Sequence, residues 1–197
     1  MLAPGTTSPK VRCNLNDRCL RDALRNHTQD IHRILDERIG RFSSLRDYEA
    51  FALKSFRFRQ IAEPASTCDT LWSVDSLLGA LTQDLDDLQL PQPEQRGGRF
   101  FAMTEPAQIG AHYVLEGSAL GARLLFRRAQ ELGMSASYGA RHLATQAQNP
   151  ARWRNFLALL DMLDQRPDFD RSEALASAKR LFESALKIYS GTSFERN

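Results

Sequence analysis

Two glycines, Gly117 and Gly121, stand one helical turn apart inside Tyr113-Val-Leu-Glu-Gly-Ser-Ala-Leu-Gly-Ala122, a stretch whose apolar spacing is otherwise that of a helix. Glycine in a helix interior costs about 1 kcal/mol relative to alanine, so a pair in register on one face implies that something needs the space two side chains would fill. Two kinds of object fit. One is a second helix packed backbone to backbone; the other is a flat cofactor lying on the helix face. The choice between them decides what the chain does.

The rest of the sequence limits the setting. A chain of 197 residues that is 42% hydrophobic is sized for one domain around one core. Its apolar runs are broken by charges well short of the roughly 20 residues a bilayer crossing needs, and Met1 to Pro9 has no apolar signal segment, so a cytoplasmic, non-membrane protein is expected. Cys13, Cys19 and Cys68 have neither metal-ligand spacing nor the even number of a disulfide framework, and read as reduced thiols. With 26 basic against 24 acidic residues the net charge of +2 does not call for nucleic acid. No spare apolar helix face is evident, so a monomer is expected.

Residues 1–13, with prolines, glycine and small polar residues, read as a tail ahead of a domain over 14–192. Asn16 to Ile39 carries Leu20, Leu24, Ile31, Leu35 and Ile39 at helical spacing, with Asn16 or Asp17 as cap and Gly40 as stop. Ser44 with Asp47 opens a second helix that runs to Pro64. Thr67 to Asp69 is expected to cap a third, carrying Leu71, Val74, Leu78, Leu81, Leu85 and Leu88 up to Pro91. A loop over 91–103 with Gly97-Gly98 precedes the glycine-bearing helix, which Thr104 caps and Gly133 ends. The polar segment 134–149 is expected to hold only a short helical turn at Gly139–Leu143. Asn149-Pro150 starts the next helix, which Pro167 follows, and Asp170 with Glu173 opens the last, through Tyr189. No stretch alternates as a strand does, so the fold class is all-α.

His32 lies at the border of the first helix's apolar face, on one stripe with Arg25, Thr28 and Leu35. A neutral imidazole projecting from a helix into an apolar cleft is an axial ligand for haem iron; it is equally an ordinary packed histidine, and His27 is a competitor on the adjacent face.

Taken together, Arg25-x-x-Thr28-x-x-x-His32-x-x-Leu35-Asp36 followed about eighty residues later by Tyr113-Val-Leu-Glu-Gly-Ser-Ala-Leu-Gly121 resembles the haem oxygenase family. Gly139-Ala-Arg-His-Leu143 and Arg152-Trp-Arg-Asn-Phe156 look like its bacterial iron-acquisition branch, and the resemblance runs from about residue 20 to 190, weakest over 55–105. It implies a single-domain helical bundle with haem between a proximal and a distal helix. It makes His32 the proximal iron ligand, Gly117 and Gly121 the distal pair, and Ser118 a contributor to the distal polar environment. The implied reaction consumes haem, which is substrate as well as cofactor, with dioxygen and electrons from a partner such as a ferredoxin or flavin reductase. It gives biliverdin, carbon monoxide and ferrous iron.

Propionates need cations at the pocket edge. Arg128, seven residues past Gly121 and on its face, is the first candidate. Tyr113, one turn before Gly117, suits the same edge or the core equally, and Arg25 either reaches a propionate or pairs with Gln29 or Asp22. The iron-acquisition branch also carries arginines in its third helix that join the distal water network, whereas Trp72–Asp87 has none. That departure motivates the alternative of a protein of this fold that holds haem, or another tetrapyrrole, without turning it over.

Overall fold

The computed structural model describes residues 19–63, 71–94, 100, 102 and 104–191. The proposed tail 1–13, the candidate caps Asn16, Asp17 and Thr67–Asp69, the stop at Pro64, Gly97-Gly98, Cys13 and Cys68 lie outside them.

Seven helices make up the described residues: α1 (Leu20–Ile39), α2 (Leu45–Ala62), α3 (Leu78–Asp87), α4 (Glu105–Glu131), α5 (Arg141–Gln148), α6 (Pro150–Leu163) and α7 (Arg171–Ser190). The all-α reading holds, and the local stop and start signals explain most boundaries. Ser44 accepts from the Asp47 amide at 3.2 Å, while the Asp47 carboxylate reaches back to the Ser43 amide at 2.9 Å. Thr104, Asn149 and Asp170 cap α4, α6 and α7 through the amides three residues on. Gly40 ends α1 at φ +65°, donating its amide to Asp36. Cys19 occupies the N-cap of α1 without a side-chain capping bond. No helix among the described residues is long and apolar enough to cross a membrane.

Two expectations are corrected. The third helix begins at Leu78, about ten residues later than its apolar spacing suggested, and residues 72–77 are not helical. The reason is tertiary. The buried Glu63 carboxylate takes the Ser76 hydroxyl at 2.6 Å and the Leu77 amide at 2.8 Å, the Trp72 indole N–H is held by Glu116, and the Ser73 carbonyl by the Arg152 guanidinium. The segment is hooked to α2, α4 and α6 before it can coil. The second correction is α5, a full eight residues where a short turn at 139–143 was expected. Its cap is remote: the fully buried Asp84 of α3 accepts from the amides of Arg141 at 2.8 Å and His142 at 3.0 Å.

α7 is the central support, packed against both α4 and α1. At their closest point α4 and α7 touch backbone to backbone, where a Cβ on Gly110 would lie 2.1 Å from the Ala174 carbonyl oxygen. Ala107, Ala111, Ala174, Ala178 and Leu181 fill the seam beside it, and Ser177 donates across it to the Ala107 carbonyl at 2.6 Å. A close helix–helix approach therefore does exist on α4, but it belongs to Gly110, two turns before the glycine pair.

Candidate functional site

Burial along α1 and α4 stops at facing places. α1 buries Leu20, Ala23, Leu24, Thr28 and Leu35 but leaves Ile31 half-buried and His32 exposed. α4 is buried almost continuously from Ala107 to Glu116, then partly or fully exposed from Gly117 to Gly121. Between them lies a cavity of about 300 Å3, within the range of small-molecule sites. His32, Tyr113, Gly117, Ser118 and Gly121 all line it. A methyl added at Gly121 would meet nothing within 4 Å, and one at Gly117 only the edge of Trp153 at 3.7 Å. No helix packs on the two glycines; only the Trp153 edge borders Gly117.

His32 makes one polar contact, Nδ1 to the Asp36 carboxylate one turn on at 3.0 Å, and its ring meets Phe182 edge-on at 5.4 Å. This fixes the ring and leaves Nε2 as the available nitrogen. A carboxylate on the far nitrogen is the usual support of a metal-binding histidine, because it sets the tautomer and raises ligand basicity. His27 is exposed and does not line the cavity.

The opposite side of the cavity is polar in a way the sequence did not announce. Arg59 of α2, only 5% exposed, donates to Ser118 Oγ at 3.1 Å, and Gln146 of α5 donates to the same oxygen at 2.9 Å, while Ser118 donates to the Leu115 carbonyl at 2.6 Å. Burial lowers the pKa of the Arg59 guanidinium, and Glu63, 3.7 Å away, opposes that shift. His142, 2% exposed, gives Nδ1 to Asp84 at 2.7 Å, and its Nε2 has no partner. Burial pushes its pKa down, with the Asp84 carboxylate pulling the other way. Tyr189 completes this wall, its phenol bonded to Ser55 at 2.8 Å and pushed up to about 12 by burial. Arg59, in the last turn of α2, lies outside the motifs, and nothing in Ser55-Phe-Arg-Phe-Arg59 marks it as the arginine that faces inward. Gly139-Ala-Arg-His-Leu143 does contain His142, but its partner Asp84 is 58 residues away.

Of the candidate propionate residues only Tyr113 lines the cavity, at one end. Tyr113 lines it, packs on Trp153 with ring centroids 5.7 Å apart, and shares a hydrogen bond with Thr28; burial raises its phenol pKa, and Thr28 and the Arg25 charge lower it. Arg25 is exposed on α1 beyond that end. Arg128 does not line the cavity: it donates to the Gly40 carbonyl at 3.1 Å and so closes the C-terminus of α1. The group that fits is therefore flat and largely apolar, slid between helices, with one face toward an imidazole nitrogen and the other toward bare backbone and a hydrogen-bonded rim. Haem meets that description.

No family model matches the chain. It is 30% identical over 141 residues, 68% of its own length and 71% of the relative's, to "Heme oxygenase PigA" of Pseudomonas aeruginosa. It is 31% identical over 111 residues to a "Heme oxygenase" of Xanthomonas campestris, covering 56% of this chain and 66% of the relative. Among solved structures it matches the NO- and CO-bound heme oxygenase of Neisseria meningitidis at a TM-score of 0.72 and 26% identity, over 90% of this chain and 96% of the other.

Proposed function

The chain belongs to the haem oxygenase family, and from that premise we propose that it binds haem between α1 and α4 and opens the ring to biliverdin, carbon monoxide and ferrous iron. The observation that carries the reading is the open space beside Gly117 and Gly121 with the free Nε2 of His32 across the cavity. Bound there, haem supplies the dioxygen-binding iron and is itself the molecule consumed; electrons come from a ferredoxin or flavin reductase.

The chain's own residues then divide the work. His32 would hold the iron through Nε2, and Asp36, 3.0 Å from Nδ1, would set the tautomer that presents that nitrogen. Gly117 and Gly121, carrying no side chains, would leave room for the flat ring against the backbone of α4. Arg59 and Gln146 both donate to Ser118 Oγ, and that hydroxyl spends its own proton on the Leu115 carbonyl. Ser118 is therefore a fixed dipole, and protons reach the site through ordered water at its edge. His142, held neutral by burial and oriented by Asp84, offers Nε2 as a proton acceptor for that water. Arg59 provides from α2 the cationic donor that α3 lacks, and this favours turnover over a purely haem-holding role. Tyr113 and Arg25 serve the propionates, which leave one edge of the ring, while Arg128 stays on the Gly40 carbonyl at the C-terminus of α1.

The test is a hemin titration followed by absorption spectroscopy, then a reductant in air. A Soret band that bleaches as a red biliverdin band rises is the expected result. A band that forms and persists replaces this reading with haem holding, and no band removes both. His32→Ala abolishes the imidazole-ligated spectrum while leaving apo-protein stability nearly unchanged, because the side chain is half exposed.

A further inference from the structure

The chain has two tryptophans, and both contact one phenylalanine. Trp153 lines the cavity with its benzo edge against Gly117 and stacks on Phe156 at 6.0 Å between centroids. Phe156 in turn meets Trp72 edge-on at 5.2 Å, and Trp72 is half-buried, away from the cavity. On the other side of Trp153, Tyr113 stands at 5.7 Å. A file of aromatic rings thus runs from the wall that would face haem to the protein surface.

Its far end is built to give up a proton with an electron. The Trp72 indole N–H donates to the buried carboxylate of Glu116 at 2.8 Å. The phenols of Tyr113 and Tyr189 bond only to the hydroxyls of Thr28 and Ser55, which are poor bases. Arg152 lies 5.1 Å over the Trp72 ring, where an uncompensated cation would oppose loss of an electron, but Glu116 and Asp75 neutralise it, and the Asp75 contact at 3.2 Å remains once Glu116 is protonated. Reducing electrons cannot rest on indole rings, so the file has no use in feeding a reductase's electrons inward. It suits only oxidising equivalents moving outward.

We propose that Trp153, Phe156 and Trp72 form a discharge path that carries oxidising equivalents from haem in the cavity to the surface, ending at Trp72 with Glu116 as proton acceptor. The proposal rests on haem occupying the cavity. An organic hydroperoxide, acting as a two-electron oxidant, is reduced to its alcohol and leaves haem over-oxidised. Trp153 returns one electron to it and Trp72 refills Trp153 across Phe156; a second round returns the second electron, and two protons from solvent carry the remaining peroxide oxygen away as water. The Trp72 indole proton passes to Glu116, leaving a neutral indolyl radical and a protonated carboxyl. A thiol or ascorbate at the surface supplies a hydrogen atom's worth of electron and proton to restore the indole, and Glu116 releases its proton to solvent.

The test treats the ferric haem complex with an alkyl hydroperoxide, freezes one portion for electron paramagnetic resonance and maps oxidised residues in another by peptide mass spectrometry. A tryptophanyl radical and oxidation concentrated on Trp72 are expected. Trp72→Phe, which keeps the packing on Phe156, removes that radical and moves the damage to residues lining the cavity. Trp153→Phe leaves Trp72 in place but protects it from oxidation. Equal oxidation of Trp72 with and without Trp153, or no aromatic radical from a complex whose Soret band is intact, overturns the path and leaves the haem reading standing. Failure to bind haem at all overturns both.

Discussion

Replacing each of three α4 glycines with alanine separates a glycine kept for helix packing from one kept for a ligand. At Gly110 the new methyl would stand 2.1 Å from the Ala174 oxygen, 2.9 Å from its carbonyl carbon and 3.1 Å from the Ala178 nitrogen, all backbone atoms. Reaching an ordinary C···O contact of about 3.3 Å needs α4 and α7 to part by roughly 1.2 Å along their best-packed seam. Overpacking costs about 1–3 kcal/mol, and backbone neighbours that cannot rotate away put this case at the upper end. Alanine's better helix propensity offsets about 1 kcal/mol of that. The net loss is about 2 kcal/mol, a fall in melting temperature of about 4–8 °C for a chain of this length. Gly121→Ala meets nothing within 4 Å, so only the propensity gain remains: up to about 1 kcal/mol, or about 2–4 °C upward, in the apo-protein. Gly117→Ala, with Trp153 at an ordinary 3.7 Å, follows Gly121. Haem affinity reverses the order, falling for Gly117→Ala and Gly121→Ala. Thermal melts of the apo-proteins and hemin titrations read both quantities. An apo-protein destabilised by Gly121→Ala as much as by Gly110→Ala would refute the reasoning, since the pair would then be packing against protein; so would unchanged hemin affinity.

Three further outcomes follow from the buried charges and polar groups. Burial pushes the His112 pKa down to about 4, with Arg152 adding to the shift, and neither ring nitrogen has a partner. Because the unfolded chain binds that proton near pH 6.5, stability holds above this value and is lost as pH falls toward 4. The loss is about 3 kcal/mol at most, readable in denaturant midpoints; His142, shifted in the same direction, adds to it, and His112→Leu flattens the profile. Arg59→Ala leaves the buried Glu63 carboxylate with the Ser76 hydroxyl and Leu77 amide but without its cation, and lowers stability by about 3 kcal/mol in chemical denaturation. Asp36→Asn weakens the hold of His32 on the iron, lowering haem affinity by about 10–100-fold in a competition titration while the apo-protein melts unchanged.

What could be read from the chain was whatever repeats locally. Helix caps at Ser44, Thr104, Asn149 and Asp170 are decided within three residues, and the structure has each. The stripe through His32 and the spacing of Gly117 and Gly121 are equally local, so the α1 and α4 walls of the cavity are legible in the sequence. The failures are tertiary. Leu71 and Val74 continue the periodicity of α3, yet Glu63, Glu116 and Arg152 hold residues 72–77 out of it. Gly110 looks no different from Gly117 until α7 is laid against it. Arg59 reads as a surface arginine because nothing near it in sequence predicts Ser118, 59 positions on, as its partner. Helical spacing puts Arg128 on the face of Gly121, yet its guanidinium reaches the Gly40 carbonyl of α1 and does not line the cavity.

The capping of α5 from α3 has a consequence for anyone who would rebuild this pocket. α5 carries His142, Leu143 and Gln146 into the cavity wall, yet Ala140 at its start offers no capping side chain, and the two amides that open the helix are satisfied by Asp84. The same carboxylate orients the His142 ring, and Tyr48 clamps the Gly139 carbonyl at 2.6 Å. That wall is therefore not a portable module. A graft of residues 134–149 from a relative would arrive without its fastening unless position 84 travelled with it, and an acidic residue there is the first thing to check when choosing a donor or a recipient.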